Sequence, residues 1–115
     1  MTATLESTAT PSAIENNNLA EAFAEIAGLI AARAHLPAIT YAVGHPSSVR
    51  PRIDLWVAEP GHVAGWAATF DHATTTEHPS TSSAKPFTVT DATIHDLNHA
   101  ELTFTNLRYH DAPVD

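Results

Sequence analysis

Arg52-Ile53-Asp54-Leu55-Trp56-Val57-Ala58-Glu59-Pro60-Gly61-His62-Val63-Ala64-Gly65-Trp66-Ala67-Ala68-Thr69-Phe70 decides the fold class. Ile53, Leu55 and Val57 alternate with Asp54, Trp56 and Ala58, the period of a strand with one apolar side. Pro60 supplies a pre-set φ for a first helical turn. Val63, Trp66, Ala67 and Phe70 follow at helical spacing and make one apolar face. A strand that feeds a short amphipathic helix requires a mixed α and β fold.

Upstream of this stretch, Asn16, Asn17 and Asn18 precede a helical run, and Asn is a good N-cap. Asn18 with Glu21 fits a capping box, and Ser12 with Glu15 fits an earlier start. Leu19, Phe23, Ile26 and Ile30 mark the buried side of this helix, and Pro37 ends it. Ile39, Tyr41 and Val43 then alternate with Ala38, Thr40 and Ala42, which predicts a strand with Ile39 and Tyr41 inward. Gly44 to Ser48 is a turn cluster.

Downstream, residues 71–85 are polar and rich in Thr and Ser, and are expected to form a long loop. Phe87, Val89 and Ile94 belong to a third strand, and Leu102, Phe104, Leu107 and Tyr109 to a fourth. The apolar phase slips between Phe104 and Leu107, which predicts a bulge or a switch in packing. The expected order is α-β-β-α-β-β. Its simplest assembly is an α+β domain, a four-stranded antiparallel sheet with two helices on one face. Residues 1–15 form an expected N-terminal arm, 16–110 a single domain and 111–115 a tail. The expected core is Leu19, Phe23, Ile26, Ile30, Ile39, Tyr41, Ile53, Leu55, Val57, Val63, Trp66, Phe70, Phe87, Val89, Leu102 and Phe104.

Leu36-Pro37-Ala38-Ile39-Thr40-Tyr41-Ala42-Val43 after an amphipathic helix, with Arg52 to Val57 and the Trp66 helix following, resembles small α-β-β-α-β-β proteins of actinobacteria and their phages or mobile elements. The likeness is one of pattern and spans about residues 18 to 110. It carries no catalytic residues across. What it implies is an accessory or interaction protein.

Composition excludes several classes. The formal charge is −8, because 13 acidic residues face only 5 Lys and Arg. Five scattered cations are too few to displace counterions from phosphate, so no nucleic-acid partner is expected. The same shortage opposes docking to anionic lipid, and no apolar run reaches the length of a membrane span. The N-terminus lacks a basic segment followed by an apolar one, and the expected location is cytoplasmic. The absence of cysteine removes disulfides, thiolate metal sites and cysteine nucleophiles.

The sequence offers residues for three kinds of site. Histidine is plentiful, and His95 with His99, and His72 with His78, are the candidate metal ligands. A zinc ion needs three or four such groups held together. The four-residue spacing of His95 and His99 has no helical meaning if they flank a hairpin end. For catalysis, no Gly-x-Ser-x-Gly elbow or phosphate-binding loop occurs, so no catalytic residue and no cofactor is implied. The third site is an interface. With Ile53, Leu55 and Val57 inward, Trp56 faces away from the helices, flanked by Asp54 and by Thr40, Thr103 and Thr105 of neighbouring strands. Trp is enriched at interaction hot spots. The leading expectation is a non-enzymatic interaction or assembly protein, a homodimer or a subunit, that uses this open sheet face. The alternative is a histidine-based metal-binding or small-ligand module.

Overall fold

The computed structural model describes residues 10–80 and 86–110. Among these residues two helices and five strands follow in the order α1 (Pro11–Ala32), β1 (Ile39–His45), β2 (Arg52–Val57), α2 (Pro60–Ala67), β3 (Ala73–Ser80), β4 (Phe87–Ile94) and β5 (Glu101–Tyr109). The sheet order is β1-β2-β5-β4-β3. Neighbours run antiparallel except β2 and β5, which are parallel from Arg52 opposite Glu101 to Trp56 opposite Thr105. The α+β class stands, but the sheet is five-stranded and mixed instead of four-stranded and antiparallel.

The additional strand is β3, within the segment expected as a loop. Thr74, Thr75, Thr76, Glu77 and His78 carry no apolar alternation, yet they pair in unbroken register with β4. The strand is held by its ladder instead of by a buried face. Residues 81–85 of the expected loop lie outside the described residues, as do 1–9 of the expected arm and the tail 111–115.

The rest of the expected arm is helix from Pro11. Thr10 is the N-cap; its Oγ1 accepts the Ala13 N–H at 3.0 Å, and Pro11 occupies the first turn, where a missing N–H costs nothing. At the other end Arg33 donates to the Leu29 carbonyl and to Thr69, and stacks its guanidinium 4.2 Å from the Phe70 ring centre. This one side chain fastens the end of α1 to the turn after α2.

The core lies between the helices and one face of the sheet. Ala22 and Ile26 of α1, and Val63, Trp66 and Ala67 of α2, meet Ile53, Leu55, Val57, Ala92, Ile94, Leu102 and Phe104. Trp66 stacks on Phe104 with ring centres 5.2 Å apart, and its Nε1–H donates to the Pro37 carbonyl at 2.9 Å. The indole thus joins α2, β5 and the entrance to β1, and its polar edge is satisfied.

Four expected core positions, Tyr41, Phe87, Val89 and Phe23, lie outside the core. A register shift between Ile39 and Tyr41 flips the phase of β1. Ile39 packs against the core, whereas Tyr41 and Val43 stand beside Trp56 and Asp54 on the other side. Ala42 and Gly44 take the helix side instead, and Gly44 lets side chains of α1 approach the strand closely. A Cβ on Gly44 would sit 3.0 Å from the Leu19 and Phe23 side chains. On β4, Thr90, Ala92 and Ile94 are buried, so Phe87 and Val89 are the half-buried residues of the opposite face. Phe23, expected inside, overhangs the β1 edge and is 37% exposed.

The slip after Phe104 is a switch in packing and not a bulge, because β5 pairs with β4 without a shift from Leu102 to Tyr109. Asn106 takes the inward position. Its Nδ2 donates to the Val57 carbonyl at 2.8 Å, while its Oδ1 is buried without a hydrogen-bond partner among the described residues. A side-chain amide thereby extends the parallel β2–β5 ladder by one bond.

Candidate interaction face

Among the described residues no element covers the sheet surface away from the helices. Among the described residues both helices pack on the other side. Arg52, Asp54 and Trp56 of β2, Glu101, Thr103 and Thr105 of β5, and Val89, Asp91 and Thr93 of β4 line a shallow depression of about 350 Å³. Period-two alternation on three adjacent strands places these side chains together. Of the expected interface set, Trp56, Asp54, Thr103 and Thr105 share this depression. Thr40 does not line it; its hydroxyl donates to the Trp56 carbonyl at 2.9 Å.

Trp56 is accompanied by Tyr41. Their rings stack with centres 5.3 Å and planes 14° apart, and Tyr41 is 55% exposed. The strand alternation of β2 was sufficient to place Trp56, but the β1 shift concealed Tyr41. Towards the far end of β4 and β5 the same face carries Val89 beside Leu107 and Phe87 beside Tyr109, the last two rings edge to face at 5.9 Å. Thr88 and Thr90 belong to the helix side of β4, so it is Thr93 that joins Thr103 and Thr105 on this face.

Carboxylates stand between the apolar groups, and each has an imidazole nearby. Asp54 accepts His45 Nε2–H at 2.8 Å and pairs with Arg52 Nε at 3.1 Å. Asp91 lies 3.8 Å from His78 Nε2, and Glu101 lies 3.6 Å from His95 Nδ1. Among the described residues that line the depression, three carboxylates stand against the one guanidinium of Arg52.

The candidate metal ligands are distributed among separate partners. His95 meets Glu101, His99 Nδ1 meets Glu21 of α1 at 3.2 Å, His78 meets Asp91 and the Thr76 hydroxyl, and His72 is exposed in the turn before β3. Among the described residues no three His, Asp or Glu side chains are close enough to share a metal ion. The hairpin end that carries His95 and His99 is instead bound to α1 and to the β1–β2 loop. Glu25 accepts the backbone N–H of Asn98 and of His99, and Arg50 donates to the carbonyls of His95 and Leu97.

No helix among the described residues is long and apolar enough to cross a membrane. No protein-family model matches this chain, and neither the curated proteins nor the solved structures contain a match.

Proposed function

We propose that this is a non-enzymatic interaction or assembly protein that binds a protein partner through the open face of its sheet, with Trp56 and Tyr41 at the centre of the contact. The observation that carries this is the stacked Tyr41–Trp56 pair on a face that neither helix covers. Two large rings held rigid by one another lose little freedom on binding, which is why Trp and Tyr dominate interaction hot spots. Val89, Leu107, Phe87 and Tyr109 continue the apolar surface across β4 and β5. Asp54, Asp91 and Glu101 set its charge, so the fitting partner presents an apolar centre with cations around it.

The test is affinity capture from extracts of the expressing cells, with wild type, Trp56→Ala, Tyr41→Ala and a Val49→Ala control in the exposed β1–β2 loop. A partner retained by wild type and control and lost by both aromatic variants, with far-ultraviolet circular dichroism unchanged, supports the face. Equal capture by all four proteins rejects it.

A further inference from the structure

β1 is an edge of the sheet, and among the described residues it pairs with β2 alone. Three hydrogen bonds fix which of its backbone groups point outward. The Pro51 carbonyl accepts the Glu101 N–H and the Val57 carbonyl accepts the Asn106 amide, so residues 51, 53, 55 and 57 turn towards β5. The Trp56 carbonyl accepts the Thr40 hydroxyl, so Trp56, Asp54 and Arg52 turn towards β1. Their antiparallel partners Tyr41, Val43 and His45 therefore bond to β2. Ala42 and Gly44 are left with N–H and C=O directed to the open edge.

The two edges of the sheet differ in chemistry. β3 carries Glu77, His78 and Pro79, the residue types that discourage strand addition. β1 reads Ile-Thr-Tyr-Ala-Val-Gly-His and has no carboxylate, Lys, Arg or Pro. Apolar side chains flank it on both faces. Tyr41 and Val43 are 55% and 36% exposed on the open face, and Phe23 is 37% exposed above Gly44 on the helix face.

We propose that β1 docks a second copy of this chain, pairing antiparallel with its β1 about a two-fold axis at Val43. Ala42 of each copy then exchanges hydrogen bonds with Gly44 of the other, and Val43 faces Val43. A two-fold contact needs a self-complementary patch, and this one is self-complementary. No carboxylate of β1 meets its like, Tyr41 lies opposite His45 of the second copy, and the residues paired beneath the Phe23 rings, Ala42 and Gly44, are small. The register uses only Tyr41–His45, the regular part of the strand beyond the shift at Ile39 and Tyr41. Two five-stranded sheets become one, and the two open faces become one surface. This assembly goes beyond the proposed partner contact and does not depend on it. A charge of −8 on each copy opposes the union, so added salt strengthens it.

The chain has no cysteine, which permits a clean test. Opposed residues of a non-hydrogen-bonded antiparallel pair have Cα atoms about 4.5 Å apart, within reach of a disulfide. Val43→Cys should form a covalent dimer under mild oxidation much faster than Val49→Cys, whose side chain is 85% exposed in the neighbouring loop. Ala42→Pro removes an outward N–H and no bond of the β1–β2 ladder. It should raise the dimer dissociation constant about tenfold or more in sedimentation equilibrium, with circular dichroism unchanged. A wild-type protein that sediments as a monomer at every concentration overturns the proposal, and leaves the edge to an extended peptide of some other chain. A dimer that survives Ala42→Pro, or Val43→Cys that crosslinks no faster than Val49→Cys, also overturns it. Loss of partner capture in Trp56→Ala with dimerisation intact separates the edge from the open face.

Discussion

Glu25 of α1 accepts the backbone N–H of His99 at 2.7 Å, across 74 positions of sequence. The same carboxylate accepts the Asn98 N–H at 3.0 Å. Two adjacent amides converge on one anion and fasten the β4–β5 connection beneath the helix. Charge-assisted hydrogen bonds exceed neutral ones in strength, although this site is partly open to water. Glu25→Ala should therefore lower unfolding stability by about 1–2 kcal/mol in urea titration. A change under about 0.3 kcal/mol, within ordinary surface variation, would show that the clamp contributes nothing.

Leu55 and Phe23 should respond differently to truncation. Leu55 is 1% exposed at the centre of the core, and Leu55→Ala should cost about 2–5 kcal/mol. Phe23 overhangs the edge at 37% exposure, so the same change there should cost well under half as much in the isolated monomer. Equal losses in denaturant titration would mean that Phe23 is buried in solution, as it would be in an edge-paired dimer. Dilution to monomer distinguishes the two cases.

Asn106 offers a pH test. Its amide donates to the Val57 carbonyl in a site 4% exposed. Asn106→Asp replaces that donor by a carboxylate facing a carbonyl, and burial with repulsion raises the pKa of the new group above its unfolded value. A raised folded-state pKa makes the native state bind the proton more tightly than the unfolded chain. The variant should therefore be most damaged at neutral pH and recover part of its stability as pH falls through the raised pKa. Denaturation midpoints at pH 7 and pH 5, compared with Asn106→Ala as a pH-insensitive reference, check the sign.

Acidification should also draw molecules together. Eight histidines match a formal charge of −8, so their full protonation brings the net charge to zero. Imidazole is the side chain that changes charge between about pH 8 and pH 5. Light scattering at low salt should rise as pH falls from 8 towards 5.3, the isoelectric point of the sequence, and salt should reduce the difference. A scattering minimum near that point would show that net charge does not keep the molecules apart.

The parts of the fold that were legible in the sequence are those with a single apolar side. Ile53, Leu55 and Val57 alternate and are all buried, and Val63 and Trp66 fall inside as their helical spacing requires. On β4 and β5 apolar residues occupy both faces. Phe87 and Val89 point one way while Ala92 and Ile94 point the other, and period two alone accepts either phase. β3 offered no signal because its stability resides in backbone pairing. The adjacency of β2 and β5 is invisible to any local window. Trp56 was legible as an outward residue; Tyr41 was not, because one shifted residue in β1 reverses every side chain after it.

The parallel pairing of β2 with β5 has a consequence for synthesis. Arg52 cannot meet Glu101 until β5 has left the ribosome, so the centre of this sheet is the last part to close. Until then the nascent chain holds a β1–β2 hairpin and a β3–β4 hairpin with the inner edges of both unpaired. Strands of that kind are slow to join and open to pairing with the wrong chain. Arrival of β5 removes both inner edges in one step, because it is the strand that pairs with β2 on one side and β4 on the other.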